Sequence, residues 1–204
     1  MEYNTFRQQL KDFNVFSLPD IRKIDPKFYP ARLNEWQKKG YIKKLRRGYY
    51  MFADAPLDEE TLFLIANRLY APSYVSLESA LSYYGLIPEG VYSITSVAGR
   101  KTAQFQTPIA RFSYRAIQPR LLFGYRLLKK GGQGYKIAEM EKAVLDYLYL
   151  NPRIIQESDF SEWRFNSVEF IKKSDKVKLR AYAESFRNKS LLERLEIFMA
   201  LIKN

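Results

Sequence analysis

Residues 30–52 read Pro-Ala-Arg-Leu-Asn-Glu-Trp-Gln-Lys-Lys-Gly-Tyr-Ile-Lys-Lys-Leu-Arg-Arg-Gly-Tyr-Tyr-Met-Phe. Pro30 suits the start of a helix, where its missing N–H costs nothing, and Gly40 suits the residue just past its end. Leu33 and Trp36 form the apolar face, with Tyr29 at the entry. Ala31, Asn34, Glu35 and Lys38 lie opposite, and Arg32 and Lys39 sit on one flank. A strand from Tyr41 to Arg46, a turn at Arg47-Gly48 and a strand from Tyr49 to Phe52 then predict a short β-hairpin. Lys43, Lys44, Arg46 and Arg47 fall on or beside its tip.

Working back from this stretch, Phe6, Leu10 and Phe13 recur at helical spacing and predict a helix over Tyr3 to Phe13. Ser17 has the character of an N-cap, with Pro19 in the first turn and Asp20 at the third position, for a helix from Leu18 to Ile24. Asp25-Pro26 breaks it. Three helices followed by a hairpin within about fifty residues make the outline of a winged helix-turn-helix. That module needs a third helix anchored by one face and free on the other. It also needs donors that reach base edges, and cations beside the groove for the phosphates. Arg32, Asn34 and Lys38 are the candidate readers, with Lys39 on the flank. Lys43, Lys44, Arg46 and Arg47 are the candidate phosphate contacts. Glu35 on the same face would repel the DNA backbone unless it accepts from a cytosine amino group.

The distribution of charge agrees. The chain of 204 residues carries a net charge of +12. Residues 1–53 hold 12 basic and 5 acidic side chains, whereas residues 54–204 hold 22 and 17. The first quarter is the electropositive part, as a nucleic-acid contact module requires. With neither Cys nor His present, disulfides, thiolate nucleophiles, Ser-His-Asp triads and Cys/His zinc sites are excluded. No apolar run approaches the ~20 residues that cross a bilayer, and the N-terminus has no signal-peptide core, so a soluble cytoplasmic protein without a membrane partner is expected.

Beyond the hairpin, residues 54–58 form a linker, and Asp58 caps a helix from Glu59 to about Tyr70. A second helix runs from Leu77 to Tyr84 behind Ser76. Strands are expected over Val91 to Val97, Arg111 to Ala116, Phe123 to Lys129 and Tyr135 to Ile137, the last two flanking a Gly131-Gly132-Gln133-Gly134 loop. Helices follow at Ala138 to Leu150, about Asp175 to Phe186 and Ser190 to Ile202. The expected architecture is α+β: a winged helix-turn-helix over residues 1–54, then a mixed α+β domain over residues 57–204.

Three stretches resemble one family. The run from Leu33 to Tyr50 is similar to the end of the AbiEi-type N-terminal domain, where a helix enters "G-[apolar]-x-[basic]-[apolar]-x-R-G-[apolar]-Y". The run from Tyr74 to Ile87 resembles that family's "Y-[apolar]-S-x-x-S-A-L-x-x-x-G-L-I" segment. The run from Ile137 to Asp146 resembles its "I-A-x-x-E-K-A-[apolar]-[apolar]-D" helix. The three occur in family order across residues 30–150. The resemblance implies a type IV toxin–antitoxin regulator. Its N-terminal domain would repress its own operon at inverted repeats in double-stranded promoter DNA. Its C-terminal domain would counter a nucleotidyltransferase-like toxin. Neither catalysis nor a cofactor is implied.

Other features point to structure. Glu139 and Asp146 share a helix face but Glu141 points away, so no metal site is assembled, and Asp146 stands four residues after Lys142 at the spacing of a solvated ion pair. The glycine-rich loop lacks the Gly-Lys-Ser/Thr of a phosphate cradle. Ser76 and Ser79 have no base to activate them and are assigned to capping or polar packing. Arg100, Lys101, Arg111 and Arg115 lie on or beside neighbouring strands as a candidate second basic surface for nucleic acid or the toxin's substrate. The alternative to an antitoxin is a ligand-sensing winged-helix transcription factor, which an apolar pocket in the second domain would favour. A nucleic-acid-processing enzyme would require an acidic metal cluster.

Overall fold

The computed structural model describes residues 1–88, 93–155 and 157–202. The first 54 residues contain α1 (Tyr3–Gln9), β1 (Phe16–Ser17), α2 (Leu18–Ile24), α3 (Ala31–Lys38), β2 (Ile42–Arg46) and β3 (Tyr49–Phe52). α1 stops four residues short of the expected Phe13. The capping box at α2 is present: the Asp20 amide donates to the Ser17 hydroxyl, and the Ser17 amide donates to the Asp20 carboxylate at 2.9 Å. The strands form an antiparallel sheet in the order β1-β3-β2. On one side of it the three helices close over an aromatic core. Phe6 sits at its centre, 4.5 Å from Trp36 and 5.3 Å from Phe16 between ring centres, with Phe28, Tyr50 and Phe52 around it.

Side chains alternate along a strand, so β3 sends Tyr50 and Phe52 into this core and Met51 the other way. Met51, Leu45 and Val15 are buried in the larger core of the rest of the chain. The small sheet is therefore a shared wall. The expected linker at residues 54–58 connects two units whose apolar packing runs across the seam.

The second unit begins with α4 (Glu59–Leu69), capped as expected by Asp58, whose carboxylate accepts from the Thr61 amide at 2.9 Å. Six strands follow: β4 (Ser73–Val75), β5 (Ser93–Ala98), β6 (Ala103–Gln106), β7 (Arg111–Ala116), β8 (Tyr125–Lys130) and β9 (Gln133–Ala138). Their order is β6-β7-β5-β4-β9-β8, with β5–β7 and β4–β9 parallel. α4 covers one face, where the Tyr114 hydroxyl donates to the Ala66 carbonyl at 2.8 Å. α5 (Leu77–Tyr83) and α6 (Met140–Leu150) cover the other. α7 (Glu157–Glu162), α8 (Ser167–Lys173), α9 (Lys176–Ser185) and α10 (Lys189–Leu201) complete the chain, with α9 and α10 against α6. The protein is thus a mixed α+β fold.

Several expectations shift. The sequence pattern predicts none of β1, β4, β6, α7 and α8. Gln133 and Gly134 lie in β9, which leaves Gly131 and Gly132 as the turn and makes β8–β9 a tight hairpin. Ala138 ends β9 and does not open α6. The expected strand at Val91 to Val97 is observed from Ser93; its first two residues lie outside the described ones. Among the described residues, no helix is long and apolar enough to cross a membrane.

Candidate nucleic-acid interface

α3 is held by Leu33 and Trp36, which are 3% and 2% exposed. Its outer face presents Asn34, Gln37 and Lys38 around a shallow groove. Glu35 and Lys39, both half-exposed, pair at 2.7 Å across one turn. The Lys39 ammonium holds the Glu35 carboxyl below its ordinary range and is itself raised by that bond. The one acid on this face is thereby neutralised by its neighbour, and Lys39 is committed to it. Arg32 is half-buried at the edge. Gln37, three residues after Asn34, joins the exposed donors; the sequence reading passed over it.

On the hairpin, Lys44 and Arg47 are exposed and Lys43 is half-buried. Gly48 takes φ +85°, a conformation that glycine adopts without a Cβ clash, and a register shift between Lys44 and Arg46 turns the strand. Arg46 is turned into the seam. Its guanidinium donates to the Leu69 carbonyl at 2.9 Å and lies 4.0 Å from the centre of the Phe105 ring. Of the four hairpin cations, Lys44 and Arg47 are the exposed ones, while Arg46 ties the hairpin to the second unit.

The four residues of the candidate second surface separate between the two faces of the large sheet. Arg100 stacks 4.9 Å from the Tyr70 ring centre, and Tyr70 packs on Phe105 and Tyr114, the face that α4 covers. Lys101 is exposed beside it, its carbonyl accepting from the Tyr70 hydroxyl at 2.8 Å. Arg111 and Arg115 alternate to the opposite face. Arg111 donates to the Gln106 side chain at 3.1 Å. Arg115 donates to the Leu150 carbonyl at 2.7 Å, next to the buried Arg194, which donates to the Leu148 carbonyl at 2.6 Å. Two cations thus complete the carbonyl end of α6, where the helix dipole favours positive charge.

The Lys142–Asp146 pair corrects the expectation of a solvated contact: both side chains are fully buried. Their ion pair is closed by Tyr74, whose hydroxyl accepts from Lys142 at 2.6 Å and donates to Asp146 at 2.8 Å. The Ser76 hydroxyl donates to the same carboxylate at 2.9 Å. Ser76 is therefore polar packing and not a side-chain cap. Burial pushes the Lys142 ammonium down and the Asp146 carboxyl up. Two of the sequence stretches singled out above meet in this cluster. Glu141, expected to point away, is also buried and accepts from the Asp175 amide at 2.7 Å. Glu139 accepts from the Tyr182 hydroxyl at 2.7 Å. The three acids have separate tasks, and among the described residues no group of three or more His, Cys, Asp or Glu is placed to hold a metal ion.

One signal escaped the charge totals. From Ser93 to Ala138 there is no Asp or Glu, while nine Lys and Arg occur. Among the described residues, Lys130 alone of these nine forms an ion pair, with Asp58 and Glu60 of α4. The basic character of the second unit is concentrated in its sheet. An open cleft of about 250 Å³ lies among Phe160, Phe165, Phe198 and Leu201, with Arg164 and Ser167. A second groove of about 360 Å³ lies open on α9, lined by Lys176, Val177, Arg180, Ala181 and Glu184. No family model matches the chain, and no curated protein matches it.

Proposed function

We propose that this chain is a sequence-specific regulator that binds double-stranded DNA, with residues 1–54 acting as a winged helix-turn-helix. The observation that carries this reading is α3. Its apolar face is locked into an aromatic core, its single acid is paired internally, and Asn34, Gln37 and Lys38 are left exposed in a row. Asn and Gln side chains pair bidentately with adenine, and Lys donates to guanine, on the floor of a major groove wide enough for a helix. Lys44 and Arg47 on the neighbouring hairpin reach phosphates. The resemblance to AbiEi-type antitoxins extends the proposal. The DNA would be inverted repeats upstream of the chain's own operon, and the second unit would counter a nucleotidyltransferase-like toxin in the cytoplasm. No catalytic step is assigned to the chain. The ligand-sensing alternative is less favoured because the clefts seen among the described residues of the second unit are open ones.

The test is fluorescence anisotropy on the chain's own upstream DNA beside a scrambled duplex, titrated at several salt concentrations. Preference for the native duplex that Asn34→Ala/Lys38→Ala abolishes is the expected result. A single unit contacting about 4–6 phosphates gives a log–log salt slope of about −4 to −5. Equal weak binding to both duplexes would overturn the reading.

A further inference from the structure

β8 stands at the end of the large sheet and has a strand, β9, on one side only. The turn at Gly131 and Gly132 makes Lys130 and Gln133 the pair that closes the ladder, so backbone groups alternate inward and outward along β8 from there. Lys136, opposite Leu127, turns its backbone away from β8. Its amide donates to the Asn67 side chain at 2.9 Å, and its carbonyl accepts from that side chain at 3.1 Å. Leu127 therefore turns its own N–H and C=O outward, as does Lys129 two residues on, and among the described residues these groups meet no backbone partner. The side chains here are open as well. Leu127 is 65% exposed, and Arg126 and Lys129 are exposed without an ion pair among the described residues. An unpaired edge with an exposed leucine at its middle is a template for another strand.

We infer that the β8 edge captures an extended acidic segment of a partner protein, which adds to the large sheet as a further strand. This goes beyond the DNA-binding reading and does not depend on it. The outward main-chain groups of Leu127 and Lys129 supply the ladder bonds, and the alternating side chains supply the choice of partner. Charge decides which strand fits. Arg126 and Lys129 flank Leu127, Lys136 stands across from it, and no acid occurs from Ser93 to Ala138. A second copy of this edge would set like charges opposite one another, which is destabilising. An acidic strand meets opposite charge instead and can lay an apolar side chain on Leu127. The other edge offers less, because β6 has four residues and Arg46 already lies on its Phe105.

The experiment titrates the full chain into a labelled peptide of about ten residues that alternates Glu and Val, long enough to run the length of β8. A peptide of equal charge that alternates Glu and Pro is the control, since proline has no N–H to give a ladder. Amide hydrogen exchange of the chain is read with and without each peptide. The expected result is binding of the Glu/Val peptide with slowed exchange at Leu127 and Lys129, and affinity for the Glu/Pro peptide lower by about tenfold or more. Leu127→Pro removes an outward N–H that the β8–β9 ladder does not use, and an edge strand tolerates it. It should weaken the Glu/Val peptide by about tenfold at an unchanged thermal midpoint. Lys129→Glu, a change at an exposed side chain, should weaken it as well and decides the matter should the proline variant fail to fold. Equal affinity for the two peptides, or undiminished binding by folded Leu127→Pro and by Lys129→Glu, would overturn the edge site. So would self-association that slows exchange at the same amides without any peptide, since the occupant would then be a second copy. The α3 variant Asn34→Ala/Lys38→Ala should bind the peptide as the parent does, so that loss of DNA preference and loss of the edge site are read separately.

Discussion

The side-chain amide of Gln133 brackets the backbone of Val15 across the seam. Its nitrogen donates to the Val15 carbonyl at 3.0 Å, and its oxygen accepts from the Val15 and Asn14 amides at 3.3 and 2.9 Å. Gln133 opens β9 of the large sheet, and Val15 precedes β1 of the small one. The amide thus imitates a neighbouring strand for a residue that has none, and both partners are buried. Gln133→Ala should leave a buried N–H and C=O without partners and cost about 2–3 kcal/mol. Gln133→Glu should lose the donor and recover only part. Urea unfolding checks both, and a midpoint within error of the parent for the alanine variant would refute the clamp.

The buried Lys142–Asp146 pair makes a different prediction. Removing one charge strands the other, so Lys142→Met should destabilise by about 3–5 kcal/mol. Lys142→Met/Asp146→Asn should recover much of that, because an amide oxygen still accepts from Tyr74 and Ser76 and no ion is left uncompensated. The comparison is a thermal or denaturant midpoint for the single and double variants. A double variant as unstable as the single one would mean that the pair contributes through its charges.

Part of this was legible from local rules. Ser17 and Asp20, Asp58, Pro30 and Gly40 mark helix ends through contacts with their immediate neighbours, and the structure keeps those ends within a residue or so. Leu33 and Trp36 declare a buried face by spacing alone. The seam was not legible. Gln133 follows two glycines and has the composition of a turn, and its role depends on a residue 118 positions away. Arg46 belongs by sequence with Arg47, yet the register shift beside it turns it toward Phe105. Lys142 and Asp146 carry the spacing of a surface pair, and only the packing of α5, α9 and α10 around α6 excludes water from them. The acid-free run from Ser93 to Ala138 was in plain view but was averaged away when charge was counted over large blocks.

Asp58 gives a pH prediction. Its carboxylate pairs with Lys130 and caps α4 through the Thr61 amide, and these contacts, Lys130 foremost, push its pKa down to about 2. The folded value lies below that of an unfolded Asp, near 3.9. The stabilisation is therefore fully present above pH ~4 and lost as pH falls toward 2. The side chain is 48% exposed, so solvent screening keeps the pair below about 1 kcal/mol. Asp58→Asn retains a cap without the charge and should flatten the decline in stability between pH 4 and 2. Asp58→Ala also loses the cap, at a cost of about 1 kcal/mol at neutral pH. Unfolding midpoints at pH 7, 4 and 2.5 separate the two, and an unaltered acid limb in the asparagine variant would count against the Lys130 pair.

Arg46 and Arg47 are adjacent and chemically identical, yet Arg46 is bonded into the seam and Arg47 is exposed. Arg46→Ala removes a hydrogen bond to the Leu69 carbonyl and a cation–π contact with Phe105, and should cost roughly 1–2 kcal/mol of stability. Arg47→Ala touches an exposed side chain and should leave the thermal midpoint within experimental error. In DNA binding the order reverses. On the proposed interface Arg47→Ala should make the salt slope shallower by about 1, because one proposed phosphate contact is lost directly. Arg46→Ala should act on binding only through the position of the hairpin, so substituting lysine, which keeps the charge but not the planar stack, should not restore it. Full rescue by Arg46→Lys would mean that position 46 acts as a charge and that the seam does not fix the hairpin.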